Sequence, residues 1–186
     1  LVIAMYTVVF ASIVGIFVFR MSKTVGDDID RAETLRRHAE EEIRKLLHAM
    51  EQSPVVIMIT NTAGNIEYVN PKFTQLTGYT KEEVIGKNPR ILKSGETPPE
   101  EYKRLWDTVT SGGTWQGEFH NRKKCGKLFW ESAAISPVRN AEGVVTHFIA
   151  IKEDVTELKQ ITDRLRENEE RLRLLIESSQ DGIVAY

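Results

Sequence analysis

Three runs toward the end of the chain constrain its fold more than any other feature: "TWQGEFHNRK" at 114–123, "KLFWESAAISPV" at 127–138 and "VVTHFIAIKED" at 144–154. Each has the length and residue types of a β-strand, and the links between them, "KKCGK" and "RNAEG", are short and contain glycine. Parallel neighbours need a crossover of about a dozen residues or more, so runs joined this tightly lie antiparallel. Gly126 takes the place in the first link where a tight hairpin turn needs a positive φ. Upstream, "VVIMIT" (55–60) is a short apolar run of the kind a buried strand shows, and "NTAGN" supplies turn residues before a fifth strand, "IEYVN".

The helices gather between these two groups of strands. Asn70-Pro71 opens a short one, "KFTQLTGY", with Pro71 in the first turn and Gly78 as its stop. Thr80, three residues before Glu83, has the spacing of a capping box for "KEEVIG". A longer helix follows Pro98-Pro99, with Tyr102, Leu105, Trp106 and Val109 on one face and Gly112-Gly113 at its end. The fold class expected is therefore α+β, an antiparallel five-stranded sheet with short helices over residues 53–155. Between the helices stands "GKNPRILKSG" (86–95), where an Asn-Pro pair interrupts the pattern. That loop either holds a ligand or closes the fold.

Strand alternation indicates what faces inward. Trp115, Gly117, Phe119 and Asn121 share one face, and Gln116, Glu118 and His120 share the other. The first set is apolar apart from Asn121, whose buried amide would cost about 1 to 3 kcal/mol if left unpaired.

The flanks have a different character. Residues 1–19, "LVIAMYTVVFASIVGIFVF", carry no charge, and a helix of that length nearly spans a hydrocarbon core of about 30 Å. A signal peptide would need a basic leading region and an A-x-A-like cleavage site, and neither is visible; a buried core helix is the other alternative. Residues 1–20 are accordingly read as a transmembrane helix, and Arg20 and Lys23 favour a cytoplasmic continuation.

From 21 to 52 a heptad pattern emerges, with Ile29, Ala32, Arg36, Ala39, Ile43, Leu46 and Met50 along a seam between charged positions. A second such helix, 156–177, carries Leu158, Ile161, Leu165, Asn168, Leu172 and Leu175. Both read as coiled-coil helices of a homodimer, with a solvated single helix or one lying on a domain as alternatives. Aligning 45–57 with 171–183 matches Leu46 to Leu172, Glu51 to Glu177, Ser53 to Ser179 and Ile57 to Ile183, so a second copy of the central domain is expected to begin at 178–186. The chain, starting at Leu1 and stopping in a strand-like run, reads as a piece of a longer protein.

With 25 basic against 27 acidic residues, a net charge of −2, no footprint for nucleic acid is present. Cys125 is the single cysteine, so no internal disulfide forms, and it reads as an exposed turn residue more than as a redox switch. His38 reads as part of a solvated helix face. No phosphate-cradling loop, metal cluster or nucleophile with its base is visible, and catalysis within this chain is not expected.

The order of "YVNPKFTQLTGYTKEEVIGKN", "NRKKCGKLFWESAAISPVRNAEG" and "HFIAIKEDVTE" resembles the PAS sensory domain of bacterial signalling proteins in its S-box form. Within that family "GKNPRILK" is similar to the flavin-binding loop of LOV photoreceptors, Gly-x-Asn-Cys-Arg-Phe-Leu-Gln: Gly86, Asn88, Arg90 and Leu92 match, while Pro89 stands in place of the photoreactive cysteine and Lys93 in place of glutamine. A light-driven cysteinyl adduct therefore cannot form there. The resemblance makes Asn121 a flavin contact, turns Phe129, Glu131, Ala133 and Ile135 inward by the same register, and puts Glu131 and Lys152 where LOV domains have asparagine and glutamine. The sequence is also similar to the FAD-binding, redox-sensing PAS domain of NifL in "GKN", "SGETPPEEYKRLW" and the W-x-G at Trp115.

The resemblance thus implies cofactor-binding residues Asn88, Arg90, Asn121, Glu131 and Trp115, with FAD or FMN as the open cofactor class. Haem is disfavoured, since the helix from Pro98 to Ser111 carries no proximal histidine and His120 and His147 face away. Asp154, Val155 and Thr156, in "DVTE", resemble the junction that relays a signal into the output helix. The function expected is the sensory input of a membrane-bound bacterial transducer at the inner membrane, with its PAS domain on the cytoplasmic side. Its missing output would be a histidine kinase addressing a response regulator. A diguanylate cyclase output, or a non-sensing dimerisation spacer, is the alternative.

Overall fold

The structure, a computed structural model, describes residues 31–183 and, ahead of them, Gly15, Arg20 and Met21, with side chains described as far as Ile176. It divides into two units, Leu1–Ala49 and Met50–Tyr186. Most of the expected membrane span at 1–20, and Ile29 of the first seam, lie outside the described residues. Among the described residues no helix is long and apolar enough to cross a membrane.

Helix α1 covers residues 31–51, and its residues 31–49 are exposed throughout. Ion pairs at helical spacing, Arg37–Glu33 at 2.8 Å and Arg36–Glu40 at 3.3 Å, lie along its surface. Such pairs add only a few tenths of a kcal/mol each, so they do not replace the burial that the seam residues lack in a single chain.

The second unit holds the sheet. Strands β1 (Val56–Asn61), β2 (Ile66–Val69), β3 (Trp115–Arg122), β4 (Leu128–Arg139) and β5 (Val145–Asp154) pair in the order β2-β1-β5-β4-β3, every pair antiparallel. The five-stranded antiparallel sheet expected from the short links is present. Gly126 and Gly143, in the two links, have φ of 90° and 79°.

Helices α2 (Pro71–Thr77), α3 (Lys81–Val84) and α4 (Pro99–Thr110) cross one face of the sheet. Their ends follow the local chemistry read from the sequence. Asn70 caps α2 and Gly78 ends it at φ 77°. Thr80 and Glu83 close a capping box on α3, the Thr80 N–H donating to Glu83 Oε2 at 2.9 Å. Asn70 does more than cap. Buried to 1% exposure, its Oδ1 accepts from Ile57 N and Phe73 N, and its Nδ2 donates to Met50 O and Val55 O. One side chain thereby holds the start of β1 against the start of α2.

Two clusters fill the layer between helices and sheet. Val56, Ile66, Val69, Phe73, Val84 and Leu92 form the core beneath α2 and α3, and Leu105, Val109, Trp115, Phe119, Ala133 and Phe148 form the core beneath α4. Ile135 packs against both.

Helix α5 runs from Thr156 through Ile183, six residues past the expected end at 177. Residues 178–183, the described part of the stretch expected to open a second copy of the domain, are helical, and residues 184–186 of that stretch lie outside the described residues.

Candidate functional site

Between α4 and the inner face of the sheet lies a cavity of about 130 Å³. For scale, an engineered apolar cavity of about 150 Å³ holds one benzene ring. Aromatic walls come from Tyr102 and Trp106 on α4, Phe119 on β3 and Phe148 on β5; Met58, Leu105, Val109 and Ile135 add apolar surface. The polar lining is Asn88, Arg90 and Lys93 from the loop after α3, and Thr60, Asn121 and Lys152 from the sheet.

The loop that raised the question of ligand or closure closes the fold first. Residues Pro89–Leu92 form a 3-10 turn, with Asn88 as its cap and Leu92 buried to 1%. Asn88 Oδ1 accepts from Arg90 N and Arg90 Nε, both at 3.1 Å, and Nδ2 donates to Gly64 O at 3.0 Å. With both oxygen lone pairs and one amide hydrogen used, Asn88 has one N–H left for a ligand. Gly64 is needed at this meeting point: its φ is +79°, and a Cβ there would lie 2.9 Å from the Trp106 ring and 3.1 Å from Asn88 Nδ2. Arg90 and Lys93 are exposed and border the cavity, so its rim is cationic.

Alternation on β3 holds as expected: Trp115, Phe119 and Asn121 are buried, at 2%, 5% and 5% exposure. Their roles differ. Trp115 does not line the cavity; its ring stacks on Phe119 at 4.9 Å and lies across Gly117, where a Cβ would meet it at 2.4 Å. The W-x-G spacing is thus a packing device that lets an indole lie along its own strand. Phe119 in turn stacks on Tyr102 at 5.6 Å, and Lys93 Nζ sits 3.4 Å from the Tyr102 ring centroid. Burial raises the Tyr102 pKa, because the phenolate is disfavoured away from water.

Deeper in the wall is a polar cluster. Glu131 Oε2 accepts from Asn121 Nδ2 at 3.0 Å and from Lys152 Nζ at 2.7 Å. Glu131 and Lys152 are buried to 1% and 4% exposure, and Glu131 Oε1, also buried, has no partner. Glu131 stands behind Asn121 and Lys152 and does not itself line the cavity. Of the five residues the family resemblance pointed to, the fold brings Asn88, Arg90 and Asn121 to the cavity, and holds Glu131 and Trp115 one layer away.

Lys93 and Lys152, noted in the sequence only as departures from the LOV pattern, line the cavity, and so do Met58, Thr60, Gly64 and Phe148, which the sequence did not mark as site residues. A signal for Lys152 was present: in "FIAIK" it shares the alternation of Phe148 and Ala150, both inward. No histidine lines the cavity; His120 Nδ1 bonds Glu96 Oε2 at 2.5 Å and stacks on Trp130, and His147 Nε2 lies 3.1 Å from Glu67. Cys125 is exposed in the β3–β4 link, and His38 is exposed on α1.

At the C-terminal end of β5, two residues beyond Lys152, the junction with α5 is tightly tied. Asp154 Oδ1 accepts from Thr156 N at 3.0 Å and from Thr156 Oγ1, while Val155 N donates to Trp130 O and Trp130 N donates to Thr156 Oγ1 at 2.8 Å. One turn on, Lys159 Nζ pairs with Glu118 at 2.7 Å and lies 4.6 Å from the Trp130 ring centroid. Trp130 is next in sequence to Glu131, so the strand segment that carries the buried acid also holds the helix start. Partial burial pushes the Asp154 pKa up, but the bonds from Thr156 and the nearby Lys123 outweigh it and leave the carboxyl below its ordinary range.

The chain is 35% identical over 117 residues to a nitrogen fixation regulatory protein of Klebsiella oxytoca, covering 63% of this chain and 24% of that protein. It is 34% identical over 136 residues to a blue-light-activated histidine kinase of Brucella canis, covering 71% and 27%. The chain thus spans about a quarter of the length of these relatives. Among solved structures, a light-oxygen-voltage domain studied with a flavin analogue superposes with a TM-score of 0.57 at 27% identity, over 68% of this chain and 95% of that one. The PAS domain family matches residues 54–157, the stretch that holds the sheet, the cavity and the α5 junction, and the chain belongs to that family.

Proposed function

We propose that this chain is the sensory input section of a membrane-anchored bacterial signal transducer whose PAS cavity holds a flavin nucleotide, FAD or FMN. The observation that carries the proposal is the cavity itself: aromatic walls, an inner amide at Asn121 and a cationic rim of Arg90 and Lys93, in a domain whose sheet is bonded directly to the output helix. Flavins combine a flat ring system, amide-like ring edges and a phosphate, and this lining fits each part in kind. The space as it stands accommodates about one ring, so loading a three-ring flavin requires the α4 wall at Tyr102 and Trp106 to move outward. When bound, a flavin supplies redox sensitivity. Light-driven adduct chemistry is excluded by Pro89, because the single thiol, Cys125, is outside the cavity.

The signal leaves through Asp154, Val155 and Thr156 into α5. Leu158, Ile161, Leu165, Leu172 and Leu175 along that helix are 54–64% exposed, a seam that pairing with a second copy would bury. Two packings of such a paired helix need differ by only a few kcal/mol for ligand binding to choose between them. The uncharged run at 1–19, ended by Arg20, anchors the chain in the inner membrane with the domain on the cytoplasmic side. By analogy with the Brucella relative the output is a histidine kinase acting on a response regulator.

Absorption spectroscopy of the 186-residue chain purified in detergent tests the flavin reading. The expected result is the two-banded visible spectrum of oxidised flavin, present on purification or after adding FAD or FMN. A colourless protein that retains neither nucleotide overturns it.

A further inference from the structure

The inner wall of the cavity carries an ion pair where packing alone calls for none. Lys152 and Glu131 are buried to 4% and 1% exposure, and the desolvation of two charges commonly exceeds what their attraction returns. Well-packed apolar residues at such positions are often as stable or more so, so this pair is a poor choice for stability alone. Its geometry is also lopsided. Lys152 lines the cavity and Glu131 does not, so the cavity meets the positive end of the pair. An ammonium has three N–H groups, and Glu131 Oε2 takes one at 2.7 Å. Phe119, beside it, offers its ring at 5.7 Å from Nζ.

We propose that Lys152, held and oriented by Glu131, is an anion-selecting subsite at the inner end of the cavity, taking a negatively charged oxygen of an aromatic ligand. The proposal rests on the cavity being a ligand site and not on that ligand being a flavin. An anionic oxygen restores to Lys152 the solvation that burial removed, and the aromatic walls receive the attached ring. A neutral carbonyl of the same shape makes the weaker, uncharged bond. Asn121, bonded to the same Glu131 oxygen, keeps the carboxylate turned toward Lys152 as a positioning residue.

Benzoate and benzamide, one-ring probes of matched shape that differ in charge, test this on the full chain by calorimetric or NMR titration at neutral pH. Benzoate is expected to bind about tenfold more tightly, the ratio between charge-assisted and neutral hydrogen bonds. In E131Q/K152Q the preference falls to within about twofold. Should that variant not fold, E131L/K152M removes both charges in favour of apolar packing and gives the same readout. R90Q/K93Q weakens benzoate through lost rim attraction and yet retains the preference.

Equal binding of the two probes by the parent overturns the inference, as does binding of neither. A preference that survives E131Q/K152Q and disappears in R90Q/K93Q also overturns it, because the rim would then be the selector. The flavin spectrum is read independently, so a colourless protein that selects benzoate leaves the subsite standing and removes only the flavin.

Discussion

The two halves of the layer over the sheet are built from similar apolar residues and end differently. Beneath α2 and α3 the space is filled: Phe73, Ile66, Val84 and Leu92 are each at most 1% exposed. Beneath α4 it is hollow, although Leu105, Val109, Phe119 and Phe148 are also buried. The difference lies in the polar groups each half must serve. Asn70 in the filled half spends its amide on backbone at the layer's edge and leaves the interior to hydrocarbon. In the hollow half Asn121, on the edge strand β3, and Lys152, on the central strand β5, face the space, and an apolar side chain moved against them would cover polar groups without bonding them. Charge on the sheet is what keeps the second half open.

Core deletions test this contrast with the largest effects. Phe73→Ala is expected to lose about 3 to 5 kcal/mol in urea denaturation, and Phe148→Ala at least about 1 kcal/mol less, because that ring already borders empty space. Equal losses would mean that the cavity is closed in solution. Asn70→Ala should cost about 2 to 3 kcal/mol by the same measurement, since it strands Ile57 N, an N–H at the start of β1, and uncaps α2.

Filling experiments come next in size. Val84→Phe in the filled half is expected to destabilise by about 1 to 3 kcal/mol through overpacking. Ala150→Leu, on the cavity wall, should be neutral or stabilising by up to about 1 kcal/mol while abolishing probe binding. A strongly destabilised Ala150→Leu protein would break the comparison.

The smallest effect concerns the junction, where the sheet hands over to α5. Asp154 has a folded-state pKa below its ordinary value, so its contribution is present above the unfolded pKa and is lost as pH falls through the lowered folded one. Thermal melts of Asp154→Asn against the parent should therefore differ near neutrality and converge in acid. An unchanged difference across that range would show that the carboxylate charge does not hold the junction.

Much of the fold could be read in advance because its signals are local. Asn70, Pro71 and Gly78 set the ends of α2 by their own backbone preferences, Thr80 and Glu83 close on each other across one turn, and Gly126 makes a hairpin of two alternating runs. The cavity was legible only in part. Alternation turned Asn121 and Glu131 inward but could not tell that Glu131 would be covered by its neighbours, nor that Trp115 would be laid over Gly117 and away from the cavity. The 3-10 turn at Pro89–Leu92 was equally hidden, because its cap, Asn88, is fixed by a carbonyl 24 residues earlier.

By itself the sequence determined the α+β class, the antiparallel pairing and the inward faces of the strands, since these follow from periodicity and from the few residues that tolerate a tight turn. Tertiary structure alone decided that Lys152 and Glu131 meet across neighbouring strands, that α4 stands off the sheet to leave a cavity, and that Trp130 ties the start of α5 to β4. Each of these depends on residues far apart in the chain arriving within a few ångströms, and no local preference specifies that distance.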